Sequence, residues 1–232
     1  QHYDVVSFDN RGVGETRCAT PWTMQDMTDD VLGIADAFGF DTFHLVGISM
    51  GGMISQELAL TSSERIRTLT LMATSPGGPE SEAMKPEFAA ALGITDPNER
   101  LRTVTELTFG AKFRRDNPEM MKLILDALSS GATGVDPLGG SNGAGFLTQA
   151  GAVMMWMAQG GSSARLKDID LPTLVLHGGD DLLLPVANGR IIAREIPGAR
   201  HREWPEAGHA LNAEYPEEVN AELLSHLQGA RV

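Results

Sequence analysis

Phe43-His44-Leu45-Val46-Gly47-Ile48-Ser49-Met50-Gly51-Gly52-Met53 is the stretch on which the fold turns. The short apolar run Thr42–Val46 reads as a strand, and Met53–Leu60 reads as a helix. Between them, residues 47–51 have the form Gly-x-Ser-x-Gly. A strand that passes into a helix within so few residues must turn sharply. Small residues beside the serine suit a strained backbone and a helix that passes close to the strand. The hydroxyl is then left at a helix N-terminus, where developing negative charge is favoured. The pattern by itself is loose: Gly139-Gly140-Ser141-Asn142-Gly143 repeats it after Asp136-Pro137-Leu138. That second match has no strand before it and no clear helix directly after it, so it reads as a flexible connection.

Outward from this turn, strand and helix signals alternate. Tyr3–Phe8 reads as a strand followed by the Gly-rich turn Asp9–Gly14. Asp26–Phe38 carries apolar residues at helical spacing and stops at Gly39. Ile66–Met72 reads as a buried strand. Near the end, Thr173–His177 and Arg200–Trp204 read as strands, Val186–Glu195 and Pro216–Leu227 as helices. This alternation predicts an α/β fold, a mostly parallel twisted sheet with helices on both faces, over residues 1–75 and 166–232. Residues 76–165 show no convincing strand. Helical stretches at Glu99–Leu107, Pro118–Leu128 and Phe146–Ala158 flank a Gly-, Ser- and Pro-rich loop, so this segment reads as a helical cap inserted into the core.

Composition excludes several classes. The 232 residues carry a formal net charge of −13, with 42% apolar and 21% charged residues. That is enough apolar material for a packed core, and the acidic balance disfavours nucleic acid or an anionic membrane as partner. No run approaches a membrane span. A lone cysteine, Cys18, leaves no internal disulfide and no cysteine zinc site, and is expected in a reducing, cytoplasmic setting. No charged-then-apolar leader opens the chain.

A serine hydroxyl needs a base to become nucleophilic, and the base needs an orienting carboxylate. Both are expected at later strand ends, in the order acid then histidine. After Thr173–His177 come two adjacent carboxylates, Asp180 and Asp181. After Arg200–Trp204 comes Pro205-Glu206-Ala207-Gly208-His209. Of the other histidines, His44 reads as a packed residue of a strand and His177 as locally hydrogen-bonded. His201 and His226 read as exposed, and His2 is terminal. A metal site on His201 and His209 is disfavoured, because no third ligand lies at metal spacing. No metal and no cofactor are expected.

The segments Phe8–Gly14, Gly47–Gly52, Val175–Asp181 and Ala207–His209 together resemble the α/β-hydrolase superfamily. They are most similar to its esterases, enol-lactonases, iminopeptidases and aclacinomycin-methylesterase-like members. The resemblance implies Ser49 as nucleophile, His209 as base and the Met50 amide as an oxyanion donor. It also selects the acid, which in that family follows a glycine by three positions and precedes a proline by four: Asp181 fits both counts through Gly178 and Pro185. Asp9 and Arg11 are implied to be structural. Where the family has a serine in that turn region, Thr16 stands here. Family members usually carry further strands and a His-Gly-type oxyanion loop upstream of the first strand seen here. The resemblance therefore implies that Tyr3–Phe8 pairs directly with the strand at Thr42, that a partner lends a strand in a homo-oligomer, or that the chain is part of a longer protein.

The leading expectation is a serine hydrolase acting on a small-molecule carboxylic ester of short to medium acyl chain, or on a lactone. With one oxyanion donor not evident, it is expected to be active but slow. Met121, Met154, Trp156 and Met157, with Met84, Met120 and Met155, either line an adaptable acyl pocket or form the cap's own core. Two alternatives stand beside this: a non-catalytic ligand-binding protein on a hydrolase scaffold, or an iminopeptidase or perhydrolase using the same residues.

Overall fold

The computed structural model describes residues 3–18, 21–129 and 144–229. The second Gly-x-Ser-x-Gly match, at 139–143, and His2 lie outside them. Among the described residues the strands are Phe43–Ile48 (β1), Ile66–Met72 (β2), Thr173–Gly178 (β3) and Arg200–Trp204 (β4). They form one parallel sheet in the order β1-β2-β3-β4. Ile48 lies opposite Met72, Met72 opposite Leu176, and Gly178 opposite Trp204. The carboxyl ends are thus nearly level, and whatever follows each strand emerges on one rim of the sheet.

β3 is buried along its whole length, and β2 at all but one position. That is the pattern of parallel strands covered on both faces. On one face Leu69, Leu71 and Val175 pack with Leu58 of the helix Met50–Thr61 (α2) and with Ile192 of the helix Ala187–Glu195 (α8). On the other face Met72, Leu174 and Leu176 pack with Leu211 of Leu211–Glu214 (α9) and with Val219 of Pro216–Gly229 (α10). The alternation of side chains along each strand sends successive residues to opposite layers.

The helix Met24–Ala37 (α1) opens with a reciprocal cap: Asp26 N–H donates to Thr23 Oγ1, and the Asp26 carboxylate accepts from the Thr23 N–H. The connection from β2 to β3 carries the helices Pro86–Leu92 (α3), Pro97–Thr108 (α4), Ala111–Asp116 (α5), Pro118–Ser129 (α6) and Ala144–Ala158 (α7). α3 and α5 were not legible from periodicity, because seven and six residues are too few to show it. This connection is fastened to α2 through a buried carboxylate. Glu57 accepts from the indole N–H of Trp156 at 2.7 Å and from both arms of the Arg165 guanidinium at 2.6 and 3.0 Å. A forked pair of this kind satisfies a charge that burial would otherwise penalise.

The strand expected over Tyr3–Phe8 is corrected: those residues form none. The Tyr3 ring meets His44 edge-on, 5.6 Å between centroids, so the segment begins beside β1. It makes no ladder with β1 among the described residues, and Val5 is 85% exposed. A strand-like sequence becomes a strand only where a neighbour supplies main-chain partners. Among the described residues β1 accordingly has no strand on its side away from β2, and Val46 and Ile48 are exposed. No helix is long and apolar enough to cross a membrane among the described residues.

Candidate active site

Ser49 stands between the end of β1 and the start of α2. Its φ of 54° and ψ of −121° are a strained combination for any residue with a Cβ. Hydrogen bonds from both sides hold it there. Its N–H donates to Met72 O at 2.9 Å, and its carbonyl accepts from Thr74 Oγ1 at 2.7 Å and from the Gly52 N–H at 2.9 Å. Met50 is the first residue of α2, so its N–H lies among the donors that have no acceptor within the helix. The glycines divide the steric task unevenly. A Cβ on Gly47 would run into Ser55 Oγ and the Gly51 carbonyl, and one on Gly52 would meet Thr74 at 2.6 Å. A Cβ on Gly51 would meet nothing. The final glycine of the five-residue pattern is therefore not the one that lets the helix approach; Gly52, one position on, is. Gly51→Ala is expected to fold at or slightly above the wild-type melting temperature, since alanine is worth up to about 1 kcal/mol over glycine in a helix. Gly47→Ala is expected to lose several degrees. Thermal melts followed by circular dichroism decide both.

Asp181 follows β3 by three residues and is 2% exposed. Its Oδ1 accepts from the Leu183 and Leu184 N–H groups, both at 2.9 Å, and its Oδ2 is 2.8 Å from His209 Nδ1. The buried His177 lies behind it. His177 Nε2 donates to Leu184 O at 2.7 Å and stands 3.5 Å from Asp181 Oδ2. Burial, the largest influence, pushes the Asp181 carboxyl up. The charge and hydrogen bond of His209 and those of His177 together outweigh it, and the group is held at about 2. Asp180, the other candidate acid, points elsewhere: its Oδ2 accepts from the Ala111 N–H at 2.7 Å.

His209 follows β4 on the same rim, its side chain 12% exposed. Nδ1 faces Asp181, which leaves Nε2 for another partner. No hydrogen bond joins Ser49 to His209 among the described residues. Catalytic hydrogen bonds are often long before substrate arrives.

The four apolar residues singled out for a pocket are not brought together. Trp156 and Met157 join a cluster with Met50, Met53, Trp22 and Leu184, beside the serine. Met121 is buried on α6 outside that cluster, and Met154 is 71% exposed. The physical reason is helical geometry: Gln149, Ala152 and Trp156 mark the inner stripe of α7, and Met154 and Met155 fall on the opposite side. Trp156 also has its indole N–H committed to Glu57.

Two histidines expected on the surface are not there. His226 is 6% exposed, with Nε2 at 3.2 Å from Leu69 O, and His201 is half-buried on β4. α10 turns His226 onto the sheet. No group of three or more His, Cys, Asp or Glu is placed to hold a metal among the described residues. Sequence reasoning missed Thr74, whose hydroxyl bonds the Ser49 carbonyl. The amides on Asp181 had a legible signal, a carboxylate capping the N–H groups two and three residues on.

This geometry has relatives. A 226-residue match, 28% identical, spans 96% of this chain and 82% of a Mycobacterium tuberculosis protein provisionally named non-heme bromoperoxidase BpoC. A poly(3-hydroxyalkanoate) depolymerase of Ectopseudomonas oleovorans is 28% identical over 232 residues, 98% of this chain and 76% of its own. The crystal structure of the enol-lactonase from Burkholderia xenovorans LB400 superposes with a TM-score of 0.74 at 26% identity, covering 95% of this chain and 79% of that one. The model of the alpha/beta hydrolase fold matches residues 1–216, and with a parallel sheet, a strained serine at its first turn and a carboxylate–imidazole pair at its later strand ends, this chain belongs to the α/β-hydrolase fold family.

Proposed function

We propose that this protein is a serine hydrolase that cleaves carboxylic esters of short to medium acyl chain, or lactones, through an acyl-enzyme on Ser49. The single observation that carries the reading is the pairing of Asp181 with His209 at 2.8 Å on the rim where the strained Ser49 also emerges. Relatives named as a lactonase and a polyester depolymerase support the choice of an ester bond.

Ser49 Oγ attacks the acyl carbon while His209 Nε2 takes its proton. The carbonyl π pair moves to oxygen, where the Met50 N–H stabilises it. The oxyanion collapses, the bond to the leaving oxygen breaks, and His209 returns its proton to that oxygen. Water then attacks the acyl-enzyme, giving its proton to His209 and thence to Ser49 Oγ, and the carboxylic acid departs. Asp181 holds His209 in the Nδ1–H tautomer and offsets the imidazolium charge. The apolar cluster around Met50, Trp22 and Met157 is the proposed acyl-binding wall. The residues 76–165 are the proposed cap, and the side of β1 away from β2 is where a second copy would pair in trans.

A fluorophosphonate probe tests the reading. Intact protein should gain one adduct, located at Ser49 by peptide mass spectrometry, and lose turnover of p-nitrophenyl butyrate in step. Absence of labelling with the fold intact would leave a binding protein instead. The relative named as a bromoperoxidase favours a second reading on the same serine, in which hydrogen peroxide replaces water and the acyl group leaves as a peracid. Peroxide plus acetate, with peracid measured, distinguishes it.

A further inference from the structure

The two catalytic loops are each tied to one short segment of the helical connection, residues 108–111. Ala210, directly after His209, donates its N–H to Thr108 O at 2.9 Å. Gly208, directly before His209, donates to Glu214 Oε1 at 2.8 Å, and Gly110 donates to the same oxygen at 3.0 Å. Asp180, directly before Asp181, accepts from Ala111. Both main-chain neighbours of His209 are therefore anchored to the connection, one of them only by way of a side chain. The packing leaves no slack: a Cβ on Gly208 would meet the Gly110 N and the Phe109 carbonyl carbon at 2.5 and 2.7 Å.

Glu214 is an unusual residue for a bland role. It is half-buried, and burial, the largest influence, pushes its carboxyl up. Its Oε2 is buried with no hydrogen-bond partner among the described residues. One oxygen, Oε1, accepts both amides. Resting on the hydrolase reading above, we propose that Glu214 is a positioning residue: by bridging the Gly110 and Gly208 amides it makes the 108–111 segment set where the His209 imidazole stands relative to Ser49.

The test compares Glu214→Ala with Glu214→Gln on the full chain, using p-nitrophenyl butyrate. Glutamine keeps an acceptor oxygen at the same reach, whereas alanine removes it. Glu214→Ala is expected to lower kcat at least tenfold with KM within threefold, and Glu214→Gln to stay within threefold of wild type in both. A purely structural strut would lower the melting temperature and the active fraction, measured by fluorophosphonate titration, without lowering kcat per labelled site. Wild-type kcat per site in Glu214→Ala overturns the proposal, and so does a glutamine variant as slow as the alanine one. If Glu214→Ala does not fold, Glu214→Asp withdraws the oxygen by one methylene and should show the same loss; wild-type kcat there overturns the proposal equally. Loss of Ser49-dependent hydrolysis from the wild type itself would instead fell the underlying hydrolase reading, so the two failures are distinguishable.

Discussion

Ser49→Ala is expected to abolish turnover of p-nitrophenyl acetate and butyrate, by about 10⁴- to 10⁶-fold in kcat, the range seen when a nucleophile that acts with its base as one unit is removed. The fold should be unaffected. Alanine has the same Cβ, so it inherits the same strain at φ 54°, and the contacts that hold the turn are main-chain bonds and Thr74, not the serine hydroxyl. Ser49→Gly makes a useful companion. It removes the hydroxyl and also the Cβ that makes this backbone costly, so it should be equally inactive yet melt higher, by the order of 1 kcal/mol. An inactive but stabilised protein is a signature that a damaged fold cannot produce. Unchanged hydrolysis in Ser49→Ala would end the assignment.

Asp181→Asn is expected to cost about 10⁴ in kcat with the structure nearly intact. The side-chain oxygen of asparagine must take the place of Oδ1, because Leu183 and Leu184 N–H both need an acceptor there. Its NH₂ then faces His209 Nδ1, which can accept only in the tautomer that carries its proton on Nε2. That tautomer cannot take a proton from serine. Asp180→Asn carries the control: its contact is with the Ala111 amide, and activity should remain within a few-fold. Equal loss in the two variants would refute the choice between the adjacent carboxylates. The pH dependence of stability follows from the same site. The Asp181 carboxyl is depressed to about 2 in the folded protein, below its ordinary value. Its contribution is complete above about pH 4, amounts to about 2 kcal/mol, and is lost as pH falls toward 2. Urea melts at pH 5 and pH 2.5 should show wild type losing more than Asp181→Asn.

Much of this protein was legible in its amino-acid order. β1, β2, β3 and β4 fall within two residues of their expected positions, and α1, α4, α6, α7, α8 and α10 appear where periodicity places them. The turn at Ser49 could be read because strand, small residues and helix follow one another without interruption, so its sequence signal is local even though Met72 and Thr74 help to hold it. The same holds for the placement of Asp181 and His209 just past later strands: parallel strands send their carboxyl ends to one rim, and a residue that follows a strand closely must emerge there.

What the tertiary structure decided has a common character. Tyr3–Phe8 reads as a strand and is none, because a ladder depends on a neighbour distant in sequence. Met154 and Trp156 are two residues apart on one helix, yet one is exposed and the other bonded to Glu57, ninety-nine positions earlier. Asp180 and Asp181 are adjacent and chemically identical, and only the approach of Ala111 to one and His209 to the other gives them different roles. Glu214 carries no signal at all until Gly110 is folded against it. Periodicity and turn chemistry are properties of neighbours along the chain and can be read in order. Burial, pairing and hydrogen-bond partnership are set by residues a hundred positions apart, whose meeting depends on the whole core being packed.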